Sequence, residues 1–427
     1  MPSPYKPDTS KICFKILANP LHNPLLVARV RDFIVGASKS LGWGEPGVSL
    51  APITSGEEAR EELEGCSASF LVLASGGTEH IVLEALETVR GRPSVVASIP
   101  LANSLSSLLE VKPVAGGGVA FLHIPGLDPS DPEALSVFEA GLRGLWASAV
   151  VKGSRVGIIG DPSPWLVYSL PSGEGLKRLG VELVRVDAKE FVARVTREKP
   201  PLELGEKIVR GAEDAELAPG EPGKSLRVYS ALKRLAGELE LRAVTPACWW
   251  FYKDTGANAC LAHTILNDEG VVVGCEGDVP STIAMLLATY ASGSPAFFAN
   301  IADIRGDRVL IAHCTAPLSL GERYRLTRHF ITGGSVTCRV RFKPYKQWTL
   351  VRLDPQLEKL RVAIGETVDR DPGLQFQCES QLVLRVKGAR RLFEDSMGNH
   401  HIAVPGDSRM ALRIAAEILG LRVEELG

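Results

Sequence analysis

The sequence predicts an α/β fold: two Rossmann-like parallel-sheet domains, followed by a mixed α/β C-terminal domain with a small antiparallel sheet or barrel. Three observations support this prediction. Short apolar runs alternate with segments of helical periodicity in residues 1–150, and the same alternation returns in residues 151–242. After residue 325, β-type runs are separated by Gly, Pro and Asp turns. We therefore expect three domains, at residues 1–150, 151–242 and 243–427.

The first domain is expected to contain buried strands with helices between them. The strands are predicted from the apolar runs Lys11 to Leu17, Phe70 to Ala74 and Pro93 to Ile99. The helices are predicted from apolar residues at helical spacing in Leu25 to Ser38 and Ile81 to Val89. This order is typical of a parallel sheet with helices on both faces.

The second domain repeats the strand–helix–strand pattern. Its predicted elements are a strand at Arg155 to Gly160, a helix at Gly173 to Leu179, a strand at Val181 to Val186 and a helix at Val228 to Leu239. The polar, Pro- and Gly-rich stretch Glu198 to Lys224 is expected to be a surface connection with a short helix inside it.

The C-terminal domain changes from α/β to mainly β structure along its length. Its later strands are predicted at Ser335 to Phe342, Trp348 to Leu353, Leu360 to Ile364 and Gln375 to Val386. An amphipathic helix, Arg409 to Leu419, is expected to follow them.

The composition is that of a globular protein, with 45% hydrophobic and 23% charged residues among 427. A net charge of −2 offers no general attraction to nucleic acid or to an anionic membrane, so we expect neither as a partner. The polar start, Met1 to Ser10, has no signal-peptide apolar region. The longest apolar runs, such as Val151 to Ile159, carry charges, so we expect none of them to span a bilayer. The eight cysteines lack CxxC spacing and are expected to be buried free thiols, as in a cytoplasmic protein.

Two carboxylates stand where a strand is expected to give way to a helix. Glu276 and Asp278 follow the apolar run Val271 to Val273, and Pro280 suits the first turn of a helix. Either side chain could accept backbone N–H groups at the helix start, and Asp278 is the better capping type. The alternative is that they belong to a catalytic or metal site.

Further polar side chains are expected at the ends of other strands or within them. Asn300 ends the run Ala296 to Ala299, where it is either a turn residue or part of a site. His313 lies inside an apolar strand, where a core histidine is the simple interpretation. The adjacent His400 and His401 are more typical of a site. Carboxylates and imidazoles from separate strand ends commonly build a divalent-metal site, so we expect an enzyme.

Motifs spread over almost the whole chain carry a family resemblance. The central block combines Leu266–Gly270, Cys275–Asp278 and Ala284–Leu286. Similar pieces lie outside it, at Gly76–Glu79, Asn103–Leu105, Gly160–Leu166, Gly398–His401 and Pro405–Asp407. In this order they resemble the L-fucose isomerase and L-arabinose isomerase superfamily, especially its shorter fucose-isomerase-like members.

The resemblance implies a metal-dependent aldose–ketose isomerase, an intramolecular oxidoreductase that acts on a free sugar of the fucose or arabinose type through an enediol. It implies a divalent cation, usually Mn²⁺, held by two carboxylates and a histidine, with sugar oxygens completing the shell. Glu276 matches the family's glutamate, and His400 matches its histidine, with His401 as the close alternative. His313 corresponds to an additional histidine of the arabinose branch.

Asn300 departs from the family pattern. It stands where the fucose isomerases have a metal-binding, catalytic aspartate, and an amide brings neither charge nor basicity at neutral pH. Asn300 is therefore kept as a catalytic and metal-binding candidate in a modified site, with Asp278 or Asp303 as compensating carboxylates. The alternative is a non-catalytic or altered-specificity sugar-binding paralog of the same fold.

The monosaccharide itself is expected to contact Trp250, Asp278 and Asn399, because an indole face suits sugar C–H surfaces and polar side chains suit its hydroxyls. Members of the resembled family are typically trimers or hexamers. The resemblance therefore also implies a homo-oligomer.

Overall fold

The structure, a computed structural model, describes residues 3–217, 220–333 and 335–427. Met1 and Pro2 of the polar N-terminus lie outside the described residues. The same holds for residues 218 and 219 of the connection predicted between Glu198 and Lys224. The rest of that connection contains the helix Leu202–Gly211, as expected.

Seventeen strands are found in the described residues. In chain order, β1 to β17 are Cys13–Leu17, Ser69–Leu73, Ser94–Ser98, Val119–His123, Arg155–Ile159, Glu182–Val186, Ala243–Pro246, Val272–Val273, Phe297–Arg305, Arg308–His313, Gly321–Arg328, Val336–Phe342, Gln347–Leu353, Lys359–Asp369, Ser380–Val386, His400–Pro405 and Arg422–Leu426.

Fourteen α-helices are found in the same residues. In chain order, α1 to α14 are Pro24–Ser40, Gly56–Leu63, Glu79–Thr88, Ser104–Val111, Pro132–Val151, Gly173–Leu179, Ala188–Arg197, Leu202–Gly211, Glu221–Glu238, Tyr252–Thr255, Cys260–Glu269, Val279–Ser292, Arg391–Glu394 and Arg409–Leu419.

Contacts divide the chain into two compact units, and the first consists of residues 1–150 together with 408–422. Its sheet has the order β1-β2-β3-β4, and every neighbouring pair is parallel. Helix α14, which we placed in a C-terminal domain, belongs to this unit, where Ile414 and Ile418 join the core under the sheet. The parallel-sheet prediction for the first 150 residues is confirmed.

Helix α5 differs from the expectation that no segment is apolar enough to cross a bilayer. By length and composition alone, this helix is long and apolar enough to cross a membrane. Half of its most apolar window is buried, and Phe138, Leu142 and Leu145 lie in the core of the first unit. A long helix that covers one face of a buried sheet has this composition for packing reasons.

The prediction of free thiols is wrong for two cysteines. Cys13 at the start of β1 and Cys66 just before β2 form a disulfide, with Cα atoms 5.9 Å apart and a sequence separation of 53. Parallel pairing of β1 with β2 brings the two positions together, which their separation in sequence does not reveal. The other six described cysteines are free thiols.

The second unit consists of residues 151–407 and 423–427, and it contains a second parallel sheet of order β6-β5-β7-β8. Strands β5 and β6 come from the predicted second domain, whereas β7 and β8 come from beyond residue 242. The expected boundary between residues 242 and 243 therefore falls inside this sheet.

The C-terminal antiparallel structure is a barrel. Six strands follow one another in the order β13-β16-β9-β10-β15-β14, and the pairing of β14 with β13 closes the ring. Strand β17 lies beside β14, and β11 and β12 form a separate hairpin. The predicted small antiparallel sheet or barrel is confirmed.

Helix α12 connects the second parallel sheet to the barrel. It packs against β7 and β8 on one side and against β13 and β16 on the other. Almost all of its residues are buried, as expected of a helix that is apolar all round. Its N-terminus therefore lies where the ends of strands from both sheets meet.

Candidate active site

The segment Cys275–Asp278 is a tight turn between β8 and α12. Glu276 has φ +60°, a left-handed conformation that costs a non-glycine residue free energy, and Gly277 follows with φ +76°. A Cβ on Gly277 would approach the Cα of Pro162 to 2.8 Å, so only glycine fits there. The Gly277 N–H donates to Oγ1 of Thr245 over 3.1 Å. The turn holds Glu276 in one direction at the helix entrance.

Asp278 is the N-cap of α12, as its residue type predicted. Its Oδ1 accepts the backbone N–H of Ser281 at 2.9 Å, and the side chain is fully buried. Oδ2 accepts from Nη1 of Arg352 at 3.1 Å and lies 2.9 Å from Nδ1 of His400. Burial alone would raise the pKa of Asp278, but the charge of Arg352 and the hydrogen bond from His400 hold it well below the usual range.

His400 begins β16 and brings its imidazole between the two carboxylates. Because an ionised Asp278 can only accept, Nδ1 of His400 carries the proton in their hydrogen bond. The other ring nitrogen, Nε2, lies 3.6 Å from Oε2 of Glu276. Nε2 is buried and has no hydrogen-bond partner among the residues that the structure describes. A buried lone pair aimed at a carboxylate is a position suited to a proton or a cation.

His401 does not reach Glu276. Successive side chains of a strand alternate between its faces, so His401 lies on the other face of β16 from His400. Its Nδ1 is 3.1 Å from the carbonyl oxygen of Asn399, and burial lowers its pKa to about 3. Of the two adjacent histidines, the structure thus brings only His400 to the glutamate.

Asn300 lies inside β9, so the expectation that it ends a strand is wrong. The strand continues to Arg305 because β9 pairs with β10 as a hairpin, and Asn300 stands opposite Ala312 there. On its other side Asn300 stands opposite His400 in the register of β9 and β16. Its Oδ1 accepts from Nδ2 of Asn399 over 2.7 Å, so the two predicted amides contact each other.

His313 lies at the end of β10, near the candidate site. Among the residues that the structure describes, we observe no contact between His313 and Glu276. Its ring centroid is 5.9 Å from that of His400, and the ring of Phe298 packs against both. Nδ1 lies 3.0 Å from Oγ1 of Thr315. Burial holds the pKa of His313 well below its ordinary value. These features are those of a neutral core histidine behind the site.

Trp165 is a site residue that the sequence reasoning missed. Its indole Nε1–H donates to Oε2 of Glu276 over 2.6 Å, although half of the residue is exposed. Trp249 is as exposed and packs edge-to-face on Trp165, with centroids 5.4 Å apart. The predicted sugar contact, Trp250, instead donates its indole N–H to the carbonyl of Asp161 at 2.7 Å. The motif Gly160–Leu166 was a signal for Trp165, since it follows β5 directly.

The arrangement combines a carboxylate of fixed direction, an imidazole of fixed tautomer and an exposed aromatic wall. A carboxylate beside a buried imidazole can move a proton on a bound molecule. Among the described residues, no group of three or more His, Cys, Asp or Glu side chains converges as a metal site. Glu276 and His400 therefore offer one carboxylate and one imidazole as metal ligands. A third ligand would have to be an oxygen atom of an amide, a water molecule or the substrate.

Comparison with known proteins finds relatives named sulfoquinovose isomerase. The chain is 26% identical over 198 residues to the one from Priestia aryabhattai, 44% of either chain. It is 26% identical over 178 residues to the one from Alkalicoccus urumqiensis, 39% of either chain. The same identity holds over 221 residues with the one from Clostridium sp. (strain MSTE9), 47% of either chain.

The alignments thus span less than half of the length of these relatives. No protein-family model matches the chain. Over part of its length, the chain is similar to sugar isomerases.

Proposed function

We propose that the protein is an isomerase that interconverts an aldose and a ketose through an enediol. The observation that carries the proposal is the pairing of Glu276 with His400, whose Nε2 and Oε2 atoms lie 3.6 Å apart at the entrance of α12. Relatives named as isomerases support the reaction class. From the sequence, Glu276 was predicted to lie close to one of His400 and His401, on the strand-end placement of the glutamate and on the family resemblance.

Glu276 is the residue that we assign to proton transfer between neighbouring carbons of the sugar. A carboxylate can take a proton from one carbon and return it to the next, provided that it stays in place between the two steps. The positive-φ turn fixes its backbone, and the indole N–H of Trp165 fixes one carboxylate oxygen. Asp278 holds the imidazole of His400, so we give it a positioning role in place of the predicted substrate contact.

A divalent cation, Mn²⁺ in the first instance, is part of the proposal. Glu276 and His400 would hold it, and the buried, unpartnered Nε2 of His400 among the described residues supports this. Such an ion supplies electrophilic assistance to the sugar carbonyl. Asn300 would add a neutral amide oxygen, whose present partner is Asn399. The donor set is oxygen and imidazole, which suits Mn²⁺ better than a thiophilic ion.

The substrate proposed is a monosaccharide that lies against Trp165 and Trp249. Both indoles are about half exposed beside Glu276, and an aromatic face suits the C–H surface of a sugar ring. Sulfoquinovose is the first sugar to test because the relatives carry that name. We also propose a homo-oligomer. The loop after β5 that carries Trp165 exposes the apolar side chains of Val167 and Leu170, which a second copy of the chain could cover.

Deuterium exchange tests the proposal directly. The protein is incubated in D₂O, with and without Mn²⁺, with sulfoquinovose, L-fucose or L-arabinose, and the sugars are followed by NMR. Isomerisation predicts ketose formation and deuterium at the carbon next to the carbonyl. The matched control is Glu276→Gln, which should incorporate none. Sugar binding by calorimetry without exchange for any sugar would instead support a non-catalytic sugar-binding protein.

A further inference from the structure

Arg352 is a fully buried arginine in β13 that no sequence motif singled out. It lies at the centre of a hydrogen-bond network behind Glu276 and His400. Its Nε donates to the carbonyl of Met397 at 2.7 Å, and Nη1 donates to Asp278 at 3.1 Å. A buried guanidinium persists only when its charge and its N–H groups have partners, and these contacts supply them.

The remaining contacts of Arg352 reach the two sides of the candidate site. Nη1 also donates to the carbonyl of His400 at 3.2 Å and contacts Oγ of Ser281. Nη2 donates to Oγ of Ser169 over 2.7 Å. One side chain thus joins the start of α12, the start of β16 and the loop that follows β5.

The loop that carries Ser169 also carries Trp165, the donor to Glu276. It is attached to the Glu276 turn at a second point, since the backbone N–H of Ser163 donates to the carbonyl of Glu276 at 2.9 Å. Arg352 therefore holds this loop at Ser169, while Trp165 of the same loop donates a hydrogen bond to the carboxylate of Glu276. On the opposite side it fastens Asp278, which holds the imidazole.

The chain leaves room for this arginine at Gly398, directly before the Asn399–His401 segment. Gly398 has φ +99°, and a Cβ there would lie 2.7 Å from Nη2 of Arg352. Any other residue would collide with the guanidinium or displace it. The glycine of the Gly398–His401 motif is thereby explained by the space that Arg352 occupies.

We propose that Arg352 is a positioning residue, which sets the distance between Glu276 and His400 by holding Asp278 on one side and the Trp165 loop on the other. The expected effect of Arg352 on catalysis rests on the proposed function. Its expected effect on the distance between Glu276 and His400 does not depend on whether the protein has activity. Arg352 itself does not touch the substrate. Its effect is transmitted through Asp278 to His400 and through Ser169 to Trp165.

Arg361 provides a matched control. It stands directly opposite Arg352 in the register of β13 and β14 and is equally buried. Its partner is Glu424, 3.0 Å from Nε, on β17 and away from the Glu276 turn. Replacing either arginine by lysine removes a buried guanidinium. Only replacement of Arg352 is expected to change the site.

The experiment compares Arg352→Lys, Ser169→Ala and Arg361→Lys in the full chain. With the sugar that wild type converts, Arg352→Lys should lower kcat about 100-fold, the effect of a misplaced catalytic group. Ser169→Ala, which removes one hydrogen bond and no charge, should lower kcat roughly tenfold. In both variants KM should change less than kcat, because neither substitution removes a side chain that contacts the sugar. Arg361→Lys should leave kcat unchanged although its stability falls.

Crystal structures of the same variants give a result that does not depend on activity. The separation of Glu276 from His400 should widen in Arg352→Lys, and the Trp165–Glu276 hydrogen bond should be lost in Ser169→Ala. Unchanged distances in both variants, or equal losses of kcat in Arg352→Lys and Arg361→Lys, would overturn the inference. A wild type without turnover would refute the proposed function while the structures still decide the role of Arg352.

Discussion

The Nδ1 atom of His400 lies 2.9 Å from Oδ2 of Asp278, the carboxylate that also caps helix α12. One side chain thus satisfies a backbone N–H at the start of a helix and fixes the tautomer of an imidazole. The prediction that Asp278 caps a helix is confirmed, and the same carboxylate also accepts a hydrogen bond from His400. Any change at this carboxylate is expected to affect stability and the site together.

Glu276→Gln should abolish isomerase activity and leave folding intact, because it removes charge and basicity with little change in volume. Loss of a proton-transfer group lowers rates by about 10²–10⁴-fold. The rate of deuterium incorporation measures this, with Glu61→Gln, an exposed position on α2, as the control. Unaltered turnover would show that Glu276 is neither the base nor an essential ligand.

Trp165→Phe should lower kcat while the protein keeps its aromatic wall. The substitution removes the indole N–H that Glu276 accepts at 2.6 Å but retains a ring against Trp249. A hydrogen bond to a charged group contributes about 1.5–3 kcal/mol, which corresponds to a loss of roughly tenfold or more. Trp249→Phe is the comparison, since Trp249 has no observed hydrogen bond to Glu276. Equal kcat values for both variants would contradict the role given to the indole N–H.

Asn300→Asp should tighten Mn²⁺ binding roughly tenfold, since a carboxylate replaces a neutral amide beside a dication. Asn399 can still donate to the new carboxylate, so the local hydrogen bond is kept. Calorimetric titration with Mn²⁺ gives the affinity, and Glu276→Gln serves as the variant that should bind less tightly. If the affinity of Asn300→Asp equals that of wild type, Asn300 does not ligate the cation.

Asp278 should make the free energy of unfolding depend on pH in the acid range. Burial alone would raise its pKa, but Arg352 and His400 outweigh that effect and depress it. A carboxylate whose pKa is lower in the folded state than in the unfolded chain stabilises the fold at any pH above its unfolded-state pKa. This stabilisation is lost as the pH falls below that pKa. We expect wild type to lose stability from about pH 5 downwards.

Asp278→Asn tests this by leaving Arg352 without its carboxylate. At pH 7 it should cost about 3–5 kcal/mol, because a buried charge loses its partner. Its free energy of unfolding should also change less than that of wild type as the pH falls. Urea titrations at a series of pH values measure both quantities, with the exposed Asp32→Asn as control. Parallel pH profiles for wild type and Asp278→Asn would argue against this assignment.

Reduction of the disulfide between Cys13 and Cys66 should destabilise the first unit. Closing a loop of 53 residues restricts the unfolded chain, and such cross-links typically contribute about 2–4 kcal/mol. Unfolding in denaturant with and without reductant measures the difference. The double variant Cys13→Ser with Cys66→Ser should match reduced wild type and no longer respond to reductant. A wild type that is insensitive to reductant would show that the bond contributes nothing.

The sequence predicted best those elements whose boundaries are set locally. Helices α6 and α14 begin and end at the predicted residues. Ser172 caps α6 at its start, and the left-handed residues Gly180 and Gly420 end the two helices. Such signals act within one turn of the chain. Strand β9 was predicted too short because its length depends on pairing with β10, which local patterns do not contain.

The site residues at the ends of helices and strands were likewise predictable from local sequence. Glu276 and Asp278 directly precede α12, and His400 begins β16, so each stands next to an apolar run that marks it as a polar residue at a boundary. Arg352 stands in the strand Gln347–Leu353, whose residues after Gln347 are all buried, whereas an arginine is ordinarily expected at an exposed position. Its burial follows from the closure of the barrel and from the packing of α12 against β13, which only the folded chain shows.

Helix α14 also has a consequence for the synthesis of the protein. The first 150 residues leave the ribosome early, and domains generally fold as units during translation. The core of this unit includes Ile414 and Ile418, so it stays incomplete until the end of α14 has emerged. Until then the nascent chain exposes apolar surface and is open to chaperones. A stop codon shortly before residue 409 would therefore damage a unit whose other residues are made much earlier.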